Sequence, residues 1–194
     1  MPATYCEIAN DILINCTNPP LRGAKDRVII IPRRSVSAIT LNSTNHLIVE
    51  GITMEAGERA YEYVGDGTLL SPANSMVRDE FGIRYPHRLP FKVHSATPAT
   101  KKELEYLSKE REGVIVILEQ NYQGDSGNAK YLVLGKDAGL YVTLLADEEG
   151  RNIYSIELTS MDGYEEPHMP ANFFITSAAT TKLAVEALLV ATSA

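Results

Sequence analysis

The chain has 194 residues, of which 44% are hydrophobic and 22% are charged, and its formal net charge is −7 at pH 7. This length and composition are typical of one soluble globular domain with a sizeable core. No apolar run approaches the roughly 18 residues of a membrane span, and the amino terminus carries Glu7 and Asp11 instead of a basic start before an apolar core. The sequence therefore predicts neither a membrane partner nor a secretory signal, and indicates synthesis in the cytoplasm.

The acidic excess lies in the second half of the chain. Residues 1–97 carry ten Lys and Arg against ten Asp and Glu, whereas residues 98–194 carry eight against fifteen. A protein that binds nucleic acid generally would show a basic stripe. The charge balance therefore argues against that class and predicts an acidic surface on the carboxyl-terminal half.

Residues 1–26 have the composition of turns, including the run Asn18-Pro19-Pro20, and predict an amino-terminal arm. The two cysteines, Cys6 and Cys16, lack a C-x-x-C spacing and a nearby histidine, so we expect free thiols without a disulfide or a metal. Four short segments rich in strand-forming residues follow the arm and predict strands. They span residues 27–31, 35–41, 46–54 and 59–64.

The segment from Thr68 to Phe81 shows little periodicity and predicts a long loop. Long loops in compact domains are usually functional or mobile. We therefore expect this loop to contact a neighbouring subunit or the next ring of an assembly.

Residues 83–93 alternate between apolar side chains at odd positions and basic side chains at even positions, which predicts a strand. The strand could break at Pro86 and Pro90. Its basic residues are Arg84, Arg88 and Lys92. Binding of nucleic acid would require aromatic side chains on the same face, but they fall on the opposite one. We expect the three cations to pair with acidic groups of a neighbouring subunit.

Two segments have the pattern of helices. Residues 100–111 carry a narrow apolar stripe, and Thr100 followed by Glu103 predicts a capping box at the start of this helix. Gly113 marks its predicted end. Residues 178–190 predict a second helix near the carboxyl terminus.

The stretch between these helices predicts consecutive antiparallel strands. They span residues 114–118, 131–134, 140–145 and 153–160. The last strand alternates polar and apolar residues, which indicates one wet face, whereas the earlier three are apolar on both faces. Burial of both faces is unusual for strands joined by short turns. We therefore expect a helix, a second sheet or a neighbouring subunit to cover the second face.

The order of these elements predicts a mainly β (α+β) protein. Two packed antiparallel sheets would form a sandwich or barrel with one flanking α-helix and a second helix at the carboxyl terminus. We assign residues 27–176 to this β-domain, residues 1–26 to the arm and residues 177–194 to a carboxyl-terminal helical extension.

The run Gly124-Asp125-Ser126-Gly127 matches the residues around the nucleophile of chymotrypsin-class proteases. That chemistry would require a histidine base and a buried aspartate within reach of the serine, and no histidine of this chain has a recognisable protease context. Asp, Ser, Asn and Gly are also the residues expected in a polar hairpin loop. A loop is the preferred interpretation, and a serine hydrolase that uses Ser126 is kept as the remote alternative.

The run Asp147-Glu148-Glu149 resembles a cation site but lacks the alternating ligand spacing of a calcium loop. Followed by Gly150, it is typical of a solvated turn. His168 has no partner at metal-ligand spacing and is interpreted as a loop residue. The sequence therefore predicts no catalytic residue, no metal and no cofactor.

Residues 131–143, with the sequence YLVLGKDAGLYVT, are followed by an acidic turn and the strand at 153–160. Together with the segment from Glu165-Glu166-Pro167 to Asn172-Phe173-Phe174, this pattern resembles tail-tube-like virion proteins of tailed bacteriophages. The resemblance covers roughly residues 80–176 and consists of strand spacing more than of invariant motifs.

The resemblance implies a non-enzymatic structural protein of the virion tail, made in the cytoplasm of a bacterial host. Members of that family fold as two packed sheets flanked by a helix and assemble into rings, usually hexamers, whose inner strands join into one barrel. Stacked rings form the tube through which phage DNA is ejected without specific binding. The implied partners are further copies of this chain and other tail or neck proteins. The arm and the terminal helix depart from the plainest members, so a neck, head–tail connector or head-completion ring is the alternative.

Two sets of interface residues follow as hypotheses. Contacts between subunits are expected from Arg84, Arg88, Lys92, Thr68 and Phe81. An acidic lumen would be lined by carboxylates at strand ends and in hairpin loops, with Glu119, Asp125, Asp147, Glu148 and Glu149 as candidates. If repulsion between acidic loops in the lumen dominates, moderate salt should favour assembly, because ionic strength screens that repulsion. If the cations pair across subunits, salt should dissolve the rings, and this outcome is preferred because contacts between subunits are shorter than distances across a lumen.

Overall fold

The computed structural model describes residues 23–64, 72–80, 82–94, 97–122, 124, 126–148 and 153–191. The strands in this part of the chain are β1 (Ala24–Pro32), β2 (Val36–Leu41), β3 (Ile48–Met54), β4 (Tyr61–Val64), β5 (Ala73–Asn74), β6 (Val77–Asp79), β7 (Gly82–Arg84), β8 (His87–Val93), β9 (Val114–Gln120), β10 (Tyr131–Leu134), β11 (Tyr141–Glu148), β12 (Ile153–Thr159) and β13 (Ala171–Phe173). The α-helices are α1 (Pro98–Ser108) and α2 (Ala178–Ala187). No helix among these residues is long and apolar enough to cross a membrane.

The strands form two large sheets and a separate hairpin. Sheet A contains seven strands in the order β2-β3-β13-β10-β9-β1-β4, and sheet B contains four in the order β11-β12-β8-β5. Within the part of the chain that the structure describes, β6 and β7 pair only with each other. Neighbouring strands are antiparallel apart from β13 and β3, which are parallel. The mainly β, α+β class predicted from the sequence is therefore confirmed.

Strand β9 explains why residues 114–118 are apolar at every position. Its side chains point alternately to two separate cores, as the two-residue repeat of a strand requires. Val114, Val116 and Leu118 belong to the first core, and Ile115 and Ile117 to the second. Each of these five residues is at most 2% exposed. The β-branched run is thus buried on both faces.

The two cores lie on opposite faces of sheet A. The first is shared by sheet A, sheet B and α1, with members that include Val28, Ile30, Leu89, Phe91, Leu104, Leu107, Leu140, Ile156 and Leu158. The second is shared by sheet A and α2, with members that include Ile29, Ile31, Val49, Tyr131, Val133, Phe173, Val185 and Leu188. The chain therefore covers both faces of its central strands by itself, and their burial requires no neighbouring subunit.

Both helices begin at a hydroxyl cap. Thr97 Oγ1 accepts a hydrogen bond from the Thr100 N–H at 3.2 Å, and Pro98 occupies the first turn, where its missing N–H leaves no helical bond unmade. The predicted capping box at Thr100 is therefore wrong, because the helix begins at Pro98. The second helix begins after its cap Ser177 and ends at Ala187, earlier than predicted.

The predicted break at Pro86 is confirmed, whereas the break at Pro90 is wrong. Strand β7 ends before Pro86 and β8 begins after it. Pro90 lies within β8, opposite Glu157 of β12. On the other side of β8, strand β5 pairs only with Arg88 and His87. Pro90 thus occupies a position with an edge on one side, where a sheet tolerates a residue without an N–H.

Candidate assembly surface

A small hairpin lies outside both large sheets. In it, Val77 pairs with Arg84 and Arg78 with Ile83. The prediction of a loop without regular structure from Thr68 to Phe81 is wrong for the part that the structure describes, because β5 and β6 lie there. Both predicted end residues, Thr68 and Phe81, lie outside the described residues.

The hairpin exposes large apolar side chains. Val77 on β6 and Ile83 on β7 are exposed, and Met76, just before β6, is 58% exposed. Two β-strands that pair only with each other bury too little apolar surface to be stable alone. The exposed apolar side chains of this hairpin therefore indicate a surface that another element or another molecule covers.

A second exposed apolar segment lies next to the hairpin. It is the loop between β12 and β13, residues 160–170, which we call the anchored loop. Tyr164 at its tip is 70% exposed, and Met161 and Met169 are exposed as well. The Arg84 guanidinium of the hairpin donates to the Gly163 carbonyl oxygen at 2.9 Å. This bond places the hairpin and the tip of the loop side by side.

The anchored loop is held by a buried carboxylate. Glu166 is fully buried, and its carboxylate accepts hydrogen bonds from the N–H groups of Asp137, Ala138 and Gly139 at 3.0, 2.7 and 3.2 Å. Burial raises the pKa of Glu166, and the three N–H groups oppose that rise. Successive N–H groups that converge on one anion form a strong local clamp. The clamp joins the loop to the turn between β10 and β11.

A buried histidine supplies a second anchor. The Gly135 N–H donates to His87 Nδ1 at 3.2 Å, so the ring proton lies on Nε2, which donates to the His168 carbonyl oxygen at 3.1 Å. Burial lowers the pKa of His87 to about 4. The imidazole is therefore neutral near pH 7. The ring of His168 also packs against His46, with centroids 4.3 Å apart.

Together these contacts make the anchored loop a fixed support for exposed apolar residues. The backbone also contributes, because the Tyr85 N–H donates to the Glu166 carbonyl oxygen at 2.8 Å. Interfaces bind best when their side chains are held in place before the partner arrives. The hairpin and the anchored loop are accordingly the candidate assembly surface.

The three cations predicted to contact a neighbour are paired within the chain. Arg84 lies 3.3 Å from Glu165 and Arg88 lies 2.5 Å from Glu157. Lys92 pairs with Glu148. These carboxylates lie on β12, on β11 and in the anchored loop, next to β8, so the acidic partners come from the same subunit. Attraction between unpaired charges is therefore not available to drive contact at this face, and the intersubunit role of these residues stays a prediction.

The structure separates the predicted acidic residues. Glu119 is on sheet A, between Lys25 at 2.5 Å and Lys130 at 3.3 Å. Burial opposes its ionisation, but hydrogen bonds and the charges of the two lysines hold the pKa of Glu119 below its usual range. Asp147 and Glu148 end a strand of sheet B. Asp125 and Glu149 lie outside the described residues.

Ser126 lies in an exposed position in the loop between β9 and β10. Within the described residues, no hydrogen bond joins it to a histidine, and both ring nitrogens of His87 are engaged elsewhere. The described part of the chain also contains no group of three His, Cys, Asp or Glu side chains placed to hold a metal ion. The described residues therefore do not show the triad that the GDSG run would need.

Sequence reasoning missed both anchors of the loop. His87 lies on the odd-numbered, apolar side of residues 83–93, and this position was a readable signal of burial. Glu166 gave no signal, because the convergence of three backbone N–H groups on it depends on the packing of two distant turns.

Comparison with known proteins adds no relative to these observations. No protein-family model matches the chain. The comparison with curated proteins gives no match, and neither does the comparison with solved structures. Fold and surface are therefore interpreted from the geometry of this chain.

Proposed function

We propose that the chain is a structural protein that assembles with copies of itself, and that it forms rings of a bacteriophage tail tube. The observation that carries the proposal is the candidate assembly surface, an apolar hairpin beside an anchored loop with exposed Met161 and Tyr164. Exposed apolar clusters on soluble proteins usually mark contacts with other proteins. The sequence resemblance to tail-tube-like proteins supplies the kind of assembly.

Free edges of sheet B support the same proposal. Strand β11 is an edge strand of eight residues, and Leu144 and Leu145 on it are exposed. On the opposite side, among the described residues, β5 pairs only with His87 and Arg88 at the start of β8. The β11 strand of one subunit can therefore continue the sheet of the next subunit beside β8. Ring closure would remove edges that otherwise invite uncontrolled pairing.

The charges of sheet B suit a wall along which DNA slides. Arg88 pairs with Glu157 and Lys92 pairs with Glu148, so the sheet offers no unpaired basic stripe. Phosphates would therefore find few cations to bind. In this proposal the lumen is close to neutral with local acidic positions such as Asp147, and the partners in the virion tail are copies of the chain, neighbouring tail or neck proteins and passing DNA. No cofactor takes part.

Assembly of purified full-length protein tests the proposal. We expect negative-stain microscopy and sedimentation velocity to show rings or stacked rings for the wild type. Ile83→Asp should shift the protein to monomers, because a carboxylate would be buried in the contact. Leu183→Asp is the matched control, since Leu183 is 73% exposed on α2, away from the hairpin.

The outcomes separate the alternatives. Monomers for the wild type at high concentration, or normal rings for Ile83→Asp, would contradict the proposed surface. Rings that never stack would favour the neck, connector or head-completion position over the tube.

A further inference from the structure

A groove of about 590 Å³ lies between the carboxyl-terminal half of α1 and the edge strand β4. It is away from the candidate assembly surface in the fold, because neither the hairpin nor the anchored loop lines it. Its apolar floor includes Ile30, Leu107 and Val114. Three tyrosines, Tyr61, Tyr63 and Tyr106, line it as well.

The tyrosines leave ring surface open to a ligand. Tyr106 is 55% exposed and Tyr61 is also exposed. One face of each ring lies against a cation of this chain, Lys102 over Tyr106 and Arg59 over Tyr61, so the opposite face is the one available to a ligand. The ring of Tyr63 is fixed in place, because it packs edge-on against Phe91 with ring centroids 6.4 Å apart. Grooves lined by aromatic rings recognise proline-rich segments in the polyproline II conformation, which lose little entropy on binding.

This chain contains one pair of consecutive prolines, Pro19-Pro20, and it is followed by Leu21 and Arg22. A proline restricts its own φ and also disfavours helix at the residue before it, so such a pair favours polyproline II. The rim of the groove offers partners for the arginine. The charged residues that line it are Glu103, Glu110, Glu112, Arg34, Lys109 and Arg111. Arg34 pairs with Glu110 and Lys109 with Glu105, so among the described residues Glu103 and Glu112 are the carboxylates of the groove without an ion pair.

The position between Tyr61 and Tyr106 lies too far from the start of β1 for Pro19 of the same copy to reach it. The described chain begins at Gly23, whose carbonyl oxygen accepts from the Asn121 N–H at 3.1 Å. Tyr61 pairs with Ile30, and Ile30 pairs with Val116 of β9. At about 3.3 Å per residue along β9, the backbone of Tyr61 therefore lies at least roughly 17 Å from the level of Asn121. The chain from Gly23 back to Pro19 spans at most about 14 Å when fully extended.

We propose that residues 18–22 of a neighbouring copy bind in this groove, with Pro19 and Pro20 between Tyr61 and Tyr106. This proposal rests on the proposed self-assembly and names one of its contacts. It gives the interface a head-to-tail character, because an arm of one copy enters a groove of the next. Contacts of this type close into rings or continue as filaments.

Disulfide trapping in full-length protein tests the contact. Cys6→Ser and Cys16→Ser remove the native thiols. One copy then carries Leu21→Cys and a second, distinguishable copy carries Lys109→Cys at the groove. We expect mild oxidation of the mixture to give a crosslinked heterodimer. The control partner carries Leu183→Cys, on the exposed side of α2, and should give little crosslinking.

Substitution in the groove or the arm supplies the second measurement. Tyr106→Ala, or Pro19→Ala with Pro20→Ala, should lower the crosslink yield by roughly tenfold, because each removes one side of a buried contact.

Equal crosslinking to the Leu183→Cys partner would overturn the proposal. It would also be overturned if a chain that carries both Leu21→Cys and Lys109→Cys formed the crosslink within itself at high dilution. Wild-type assembly without the 21–109 crosslink would overturn this contact and leave the proposed function standing, whereas the absence of any association would overturn both.

Discussion

The imidazole of His87 on sheet B accepts a hydrogen bond from the backbone N–H of Gly135, at the end of a strand of sheet A. The other ring nitrogen donates to the anchored loop. One buried side chain therefore joins both sheets and the loop that carries the candidate assembly surface. Since only the neutral ring can make both bonds, protonation is expected to weaken this junction.

We expect the free energy of unfolding to fall as the pH decreases from about 6.5 to about 4. The folded pKa of His87 is about 4 and its ordinary value is 6.5. Within that window the unfolded chain binds a proton at this position and the folded chain does not, so acid favours unfolding. The full effect would be about 3 kcal/mol.

Urea unfolding at a series of pH values measures this effect. The His87→Gln variant should lose most of the pH slope between 6.5 and 4, whereas His94→Gln, at an exposed position, should retain it. Identical slopes for the wild type and His87→Gln would contradict the assignment. Because Glu166 and other groups remain in every variant, the difference between the two curves isolates the contribution of His87.

Glu166→Gln tests the carboxylate clamp. The amide keeps the size of the side chain but replaces one acceptor oxygen with an NH2 group, which would face N–H donors in the turn. We expect a loss of about 1–3 kcal/mol in the free energy of unfolding. Hydrogen exchange should become faster at the amides of Ala138 and Gly139. Glu165→Gln, in the same loop, should have a smaller effect on both measurements.

The sequence predicts those elements whose pattern is visible within a few residues, and it misses those that depend on contacts between distant residues. The β-branched run of residues 114–118 and the alternation of 153–160 identify strands because their side-chain period is visible in a few residues. Strand β13 has three residues and was missed, since its parallel pairing with β3 depends on distant contacts. The N-cap of the first helix was misplaced by three positions, at Thr100 instead of Thr97, where several hydroxyls compete, whereas the start of the second helix at Ala178 was predicted correctly.

The ion pairs next to the candidate assembly surface were harder to predict from the sequence than the strands were. Pairing of Arg88 with Glu157 depends on the register between β8 and β12, and no short-range pattern fixes that register. The alternation of residues 83–93 did place Arg88 and Lys92 on one face, but it could not show that their acidic partners lie in the same chain.

A pair of glycine substitutions separates backbone strain from steric clash. Gly57 and Gly135 both have positive φ, +80° and +72°. An added Cβ at Gly57 would meet nothing within 4 Å, whereas at Gly135 it would lie 2.8 Å from the Val114 carbonyl oxygen. We expect Gly57→Ala to cost about 1 kcal/mol and Gly135→Ala at least about 3 kcal/mol. Thermal unfolding measures both, and equal losses would contradict the packing at Gly135.

The serine hydrolase alternative has a direct test. A fluorophosphonate probe labels a serine that a neighbouring base activates. We expect no labelling of the full-length protein, because the described residues give Ser126 no histidine partner. Labelling that disappears in Ser126→Ala but persists in Ser71→Ala would overturn the structural assignment.

The salt dependence of assembly tests what drives the contact between subunits. Pairing of Arg84, Arg88 and Lys92 across subunits would make rings dissolve in salt, as expected from the sequence alone. In the structure all three have acidic partners in their own chain, while the hairpin and the anchored loop offer apolar side chains. We therefore expect ring yield to change little between about 0.05 and 0.5 M NaCl, a range over which screening of surface charges increases several-fold.

Sedimentation velocity of the wild type across this range measures the yield. A steep loss of rings with salt would show that charge pairing between subunits dominates, and Arg88→Gln would then be expected to reproduce that loss at low salt.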